Sequence, residues 1–267
     1  PPGPHGHSAQ VPHPFPLKAV GLACDRLGDA AAGGRRIDVY GDDDADGVTA
    51  CVTLARGLRS VGADVVTYIP NRFTEGYGLN GEALRDLAGR GVTLVITCDC
   101  GTNSVEVARE RPAGMQMIVT DHHEIGAERP PVDALINPKQ PDCAYPFDGL
   151  AACGVAYKML VALEQRIFPG RLDPAASLDA VALGTVADVV PLRAENRAIV
   201  RAGLQRLNDA PGPGCAALLS VAGIRRPVTA DHLAFQPGPR VDPAGRLDDA
   251  VLARGSLVAA DAGQAEP

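Results

Sequence analysis

Val119-Thr120-Asp121-His122-His123-Glu124 is the stretch on which the reading of this chain turns. It closes a short apolar run, Met117-Ile118-Val119-Thr120, with the pattern of a buried strand that ends in polar residues. An acid and two adjacent imidazoles come directly after the strand. Neighbouring side chains on an extended segment point to opposite sides. One histidine can therefore hold a metal while the other faces a substrate. An isolated His-His pair is more often a surface loop. Here, however, acidic residues also end other apolar runs: Asp42, Asp44 and Asp46, then Asp99, then Asp188.

Working outward, apolar runs alternate with segments of helical spacing. Arg36 to Gly41, Ala63 to Ile69, Val92 to Thr97, Met115 to Thr120 and Ala134 to Ile136 read as strands. Helices are expected over Leu17 to Leu27, Val48 to Leu58, Leu79 to Leu87 and Ser104 to Glu110. Such alternation predicts βαβ units and a parallel sheet flanked by helices, an α/β fold. From about Gly154 the pattern is helical: Val155 to Arg166, Leu178 to Val186, Glu195 to Leu207, Cys215 to Val221 and Asp248 to Ala260, with Pro211-Gly212-Pro213-Gly214 as a break. Residues 1–16 are rich in Pro and Gly and read as a flexible arm. The expected division is thus an arm over 1–16, an α/β domain over 17–192 and a helical connector over 193–267.

A length of 267 residues with 46% hydrophobic content supports a sizeable core. The net charge of −7 argues against a simple electrostatic grip on nucleic acid, although a local basic groove can oppose an acidic metal site. The seven cysteines form no Cys-x-x-Cys pair, and several lie in apolar segments. They read as reduced, buried residues, which with no membrane-length apolar stretch and no secretory signal pattern points to the cytoplasm.

In an open parallel sheet, ligands bind beyond the carboxyl ends of the strands, and each acidic cluster is expected there. If the segment is extended, alternation puts Asp42, Asp44 and Asp46 on one side. So many carboxylates cannot face one another uncompensated. Divalent cations would neutralise them, and oxygen ligands with an imidazole suit Mn2+ or Mg2+ better than zinc. A carboxylate shared by two ions roughly 3.5–4 Å apart would make a two-metal phosphoryl-transfer site. Singly, each acid is better explained as a turn former or helix cap; jointly they favour metal.

The chain resembles the DHH phosphoesterase family, with its Rossmann-like sheet, and within it the RecJ-type single-stranded-DNA exonucleases. The stretches that carry the likeness are VYGDDDADG (39–47), PNRFTEGYGL (70–79), ITCDCGTNS (96–104), VTDHHE (119–124), INPKQPDCAYPF (136–147), VALGTVADVVPL (181–192) and GPRVDPAGRL (238–247). The resemblance implies two metals held by Asp44, Asp46, Asp99, His122 and Asp188, with Asp42 nearby and Asp99 as the shared ligand. It implies that His123 faces the scissile phosphate and that Asp121 orients a histidine. Arg72, Arg240 and Arg246 would meet phosphate oxygens. The implied activity is metal-dependent 5′-to-3′ hydrolysis of single-stranded DNA in repair and recombination, by a monomer. Implied partners, besides the DNA, are a single-strand-binding protein or a helicase.

The sequence departs from the family pattern in three places. Asp43 stands where a Tyr is usual, Asp242-Pro243 where Asn-Ala is usual, and Ala152 where a Gly is expected. RecJ-type enzymes also continue into a second, glycine-rich substrate domain, often with an OB-fold module, and the 267 residues are expected to hold little or none of it. The rivals are a manganese pyrophosphatase, an oligonucleotide phosphodiesterase of the same superfamily, and a non-catalytic replication-associated binding protein. The first two commonly carry a histidine four residues before the aspartate that stands at Asp44 here, where this chain has Tyr40.

Overall fold

The computed structural model describes residues 11–71 and 74–236. Its five strands are β1 (Arg36–Gly41), β2 (Val65–Tyr68), β3 (Val92–Cys98), β4 (Gln116–Thr120) and β5 (Ala134–Ile136). They form one sheet of order β2-β1-β3-β4-β5, with every pairing parallel. The helices among the described residues are α1 (Val20–Ala32), α2 (Ala45–Ser60), α3 (Gly81–Gly89), α4 (Val105–Arg109), α5 (Ala152–Arg166), α6 (Leu178–Ala187), α7 (Ala194–Asp209), α8 (Pro213–Val221) and α9 (Ala230–Phe235). The parallel α/β architecture expected from the sequence is therefore present. The helix expected over Asp248 to Ala260 lies outside the described residues.

Strand alternation divides the core between the two faces of the sheet. Ile37, Val39, Ile96, Ile118 and Ile136 pack with α1, α2 and α5. Tyr40, Val95, Met117 and Val119 pack on the other face with α3 and α4. Helix α2 is buried on nearly every side. It lies between the sheet, α5 and α6, and its Val48 and Val52 join a third cluster with α6, α8 and α9. This explains its apolar content all round, which an amphipathic surface helix would not have.

Three expectations are corrected. Helix α8 starts at Pro213, inside the stretch read as a break. Proline suits the first turn of a helix, where its missing N–H has no intrahelical partner. Helix α9 has no counterpart in the sequence reading; a Thr229–His232 capping box starts it. Finally, residues 12–16, read as part of the arm, make contacts with the folded layer. Pro14 and Leu17 are buried, and the Pro12 carbonyl accepts a hydrogen bond from the Lys158 ammonium.

The same lysine ties α7 to the α/β layer. Lys158 Nζ on α5 lies 2.8 Å from Glu195 Oε1 on α7, with both side chains almost wholly buried. The Tyr145 hydroxyl donates to Glu195 Oε2. Burial pushes the Lys158 pKa down, and Glu195 opposes that shift. Breaking a buried pair strands a charge, at about 3–5 kcal/mol. Glu195→Ala is expected to lose about that much stability in urea denaturation. Replacing both partners, as Lys158→Met with Glu195→Leu, should recover most of it.

Candidate metal centre

The sheet ladder continues one residue past each strand. The Asp42 amide donates to the Cys98 carbonyl at 3.1 Å, Asp99 to Thr120 at 3.0 Å, and Asp121 to Ile136 at 3.0 Å. Three acids are thereby set side by side at the carboxyl ends of β1, β3 and β4. Strand order reverses between β1 and β3, the place where open α/β sheets leave a crevice.

The Asp42–Asp46 segment is not extended, so the condition for alternation to set Asp42, Asp44 and Asp46 on one side is not met. The strand ends at Gly41, and helix α2 begins at Ala45. Asp44 is the N-cap, its Oδ1 accepting from the Gly47 amide at 2.8 Å. Asp46 sits in the first turn, and both its oxygens are claimed: Oδ2 by the Ala152 amide at 2.6 Å and Oδ1 by Cys153 at 2.9 Å. Those amides open α5, so a carboxylate is seated where the helix dipole favours it. The turn needs glycine at 47, since a Cβ there would lie 2.6 Å from the Asp42 carbonyl oxygen.

Asp99 has φ 67, a left-handed conformation that Asp tolerates better than most residues. Its Oδ1 lies 3.1 Å from His122 Nε2 and 3.7 Å from His123 Nδ1, yet receives no hydrogen bond. Asp188 ends α6, and its Oδ2 lies 3.8 Å from His122 Nδ1. Gly184 allows that approach: a Cβ there would stand 2.0 Å from Thr49 Oγ1 and 3.2 Å from Asp46 Oδ1. His122 Nε2 is 3.7 Å from Asp46 Oδ2. Three sets each bring their donor atoms within 4.8 Å: Asp99/His122/His123, Asp46/His122/Asp188 and Asp42/Asp44/Asp99. Asp99 and His122 each belong to two of them. Arg72, Arg240 and Arg246, the expected phosphate contacts, lie outside the described residues, as do Asp242 and Pro243.

Burial, then the charges of Asp46 and Asp44, pushes the Asp99 carboxyl well above its usual range. The same causes raise Asp188 to about 8, against the pull of His123 and Lys139. Burial and Asp44 raise Asp42. Asp121 behaves oppositely. Burial would raise it, but its hydrogen bonds with His123 and Thr102 hold it at about 2. Its Oδ1 lies 2.8 Å from His123 Nδ1, and its Oδ2 accepts from the Thr102 amide at 2.9 Å. That bond with Asp121 in turn raises the His123 pKa. His122 is buried, whereas the His123 side chain is 55% exposed.

The residues fit a hard divalent cation. Asp42 Oδ1, Asp99 Oδ1 and Asp188 Oδ2 are buried without a hydrogen-bond donor, and all three belong to the cluster. Unpaired buried carboxylate oxygens are costly unless a cation meets them. The set is mainly carboxylate oxygen with an imidazole, which suits Mn2+ or Mg2+ better than a thiolate-rich zinc site would. Cys98 and Cys100 flank Asp99, but burial raises both thiols well above their usual range and keeps them neutral.

Several supporting groups escaped the sequence reading. Asn137 Nδ2 donates to the His123 carbonyl at 2.9 Å and to Thr102 Oγ1 at 3.0 Å. The amides of Ala152 and Cys153 hold Asp46 from more than a hundred residues away. INPKQPDCAYPF and ITCDCGTNS were visible as motifs, but nothing in them assigns a role to Asn137 or Thr102. Tyr40, in the place of the rivals' histidine, donates from its hydroxyl to the Gly78 carbonyl at 3.0 Å. It braces the loop before α3.

Residues 36–185 match the model of the DHH family, N-terminal domain. The chain is 40% identical over 264 residues to a single-stranded-DNA-specific exonuclease RecJ of Bacillus subtilis, covering 98% of this chain and 33% of that protein. It is 40% identical over 262 residues to the Escherichia coli protein of that name, covering 93% of this chain and 45% of the relative. It thus spans between a third and a half of these relatives. Among solved structures, an exonuclease RecJ bound to manganese superposes with a TM-score of 0.83 at 37% identity, over 93% of this chain and 63% of the other. A Thermus thermophilus RecJ in complex with Mn2+ gives 0.79 at 36% identity, over 94% and 36%. With the match covering more than half of its residues, this chain belongs to the DHH family.

Proposed function

We propose that this chain carries the catalytic centre of a metal-dependent phosphodiesterase, a 5′-to-3′ single-stranded-DNA exonuclease acting in repair and recombination. The observation that carries the reading is that donor-free oxygens from Asp42, Asp99 and Asp188 all belong to overlapping donor sets that share Asp99 and His122. Asp42, Asp44, Asp46, Asp99, His122 and Asp188 would hold two Mn2+ or Mg2+ ions, with Asp99 shared. Such ions supply Lewis acidity toward a phosphodiester oxygen and toward water. His123, oriented by Asp121, would donate to the phosphate from its outer nitrogen. Arg72, Arg240 and Arg246 would add planar, bidentate contacts to phosphate oxygens. Residues 17–192 would form the phosphoesterase domain and 193–267 the connector toward a substrate domain. No described helix is long and apolar enough to cross a membrane.

The pyrophosphatase reading is disfavoured by Tyr40, which is buried and engaged with the Gly78 carbonyl. A non-catalytic reading is disfavoured because every carboxylate and imidazole of the cluster is present. End-labelled single-stranded DNA incubated with Mn2+ or with chelator tests the proposal. The expected result is Mn2+-dependent release of mononucleotides, with a 5′ label lost first. Hydrolysis of pyrophosphate with DNA left intact would refute it.

A further inference from the structure

The segment after β5 carries chemistry that the metal centre does not use. A cleft of about 410 Å³ opens there, lined by Pro138, Lys139, Cys143, Tyr145, Pro146 and Asp148, with Glu124 at its edge. That volume suits one nucleotide unit better than a length of strand. Lys139 is its cation. The Lys139 amide donates to Asn137 Oδ1 at 2.9 Å, while Asn137 Nδ2 holds the His123 carbonyl and Thr102. Thr102 in turn donates its amide to Asp121. One buried asparagine therefore sets the Lys139 backbone and the His123 backbone relative to each other. The present partner of Lys139 is Glu124, at 2.9 Å, which is 86% exposed. An exposed pair of this kind is weak and easily exchanged.

Two carboxylates, Glu124 and Asp148, share the cleft with this one ammonium. A bare anion is therefore not what the cleft selects. A nucleotide satisfies both: its phosphate meets Lys139, its base N–H groups face the carboxylates, and its ring lies on the prolines. We propose that this cleft is a nucleotide subsite next to the metal centre, in which Lys139 binds the phosphate beside the scissile one. The proposal rests on the nuclease reading above and names a contact of that site.

The test uses the 267-residue chain with Ca2+ and a 3′-fluorescein pentathymidylate, with dissociation constants read by anisotropy across a salt series. Lys139→Gln is expected to weaken binding about tenfold. It should also reduce the salt slope by about 0.7, the loss of one phosphate contact on a single strand. Lys139→Arg should restore most of the affinity. Glu124→Gln should tighten binding about two- to threefold, because it frees Lys139 and removes a negative charge. If the Lys139–Glu124 pair were only structural, both glutamine variants would shift affinity in the same direction and leave the salt slope unchanged; that result overturns the proposal. Mn2+-dependent hydrolysis by the unmodified chain, with binding unaffected in Lys139→Gln, would overturn the subsite and leave the nuclease reading standing. Lys139-dependent binding without hydrolysis would support the subsite and sink the nuclease reading. No binding of pentathymidylate at any salt would overturn both.

Discussion

In Asp99→Asn, Mn2+-dependent hydrolysis falls by about a thousandfold or more while the chain remains folded. The size follows from removing a charged oxygen that two ions would share, in a centre whose chemistry is mainly electrostatic. The fold survives for three reasons. Asn is close in shape to Asp, it tolerates the left-handed backbone at position 99, and Asp99 Oδ1 has no hydrogen bond to lose. His123→Ala separates the roles. Its hydrolysis should fall about a hundredfold or more, as loss of a positioned hydrogen-bond donor to developing charge does. Its Mn2+ affinity by isothermal titration should stay near that of the unmodified chain, because His122 is the buried imidazole close to Asp46, Asp99 and Asp188. Equal loss of Mn2+ affinity in both variants would refute this division of labour.

The metal-free chain is expected to lose stability as pH rises from about 5 to above 8. Asp188 is raised to about 8 and Asp99 well above the usual range, both chiefly by burial. Between the unfolded carboxylate value of roughly 3.9 and these folded values, the native state holds protons that the unfolded state has released. Stability therefore declines with pH across that window. The raised His123 pKa acts in the same direction, while Asp121, at about 2, acts only in stronger acid. Saturating Mn2+ should reverse most of the loss. At a hundred times the dissociation constant it adds about 2.7 kcal/mol, or about 5–10 °C in melting temperature for a chain of this size.

A residual slope should persist with metal bound. Asp38 is wholly buried in β1 with neither oxygen hydrogen-bonded, and burial raises it to about 8. Asp38→Asn should flatten that remainder. A metal-free melting temperature that does not fall over this pH range would show that the cluster is less crowded than the geometry implies.

Much of this site was legible because its residues follow strong local signals. Apolar runs as short as Met117-Ile118-Val119, bounded by polar residues, read as buried strands, and an acid after each run marks a carboxyl end. In a parallel sheet those ends share one side, so Asp42, Asp99 and Asp121 could be expected together without knowledge of strand order. Asp188 was expected from the end of its helical run. By contrast, the shape of the first motif stayed open between an extended run and a helix cap. Alternation along Asp42–Asp46 presumes an extended chain, whereas Asp44 caps a helix and Asp46 lies within it. Short polar residues serve strand ends and helix starts equally well, and only packing chooses between them.

The sequence by itself determined the parallel α/β class and the placing of acids and imidazoles at the ends of apolar runs. These depend on periodicity and side-chain type, which are local. The tertiary structure alone decided the order β2-β1-β3-β4-β5, which puts the crevice between β1 and β3. It decided that the amides of Ala152 and Cys153 hold Asp46, that Gly184 lets α6 bring Asp188 to His122, and that Asn137 joins Lys139 to His123. Each of these joins residues far apart in the chain. Backbone amides and glycine hydrogens carry no sequence signature of the partner they will meet, so their roles exist only once the chain has folded.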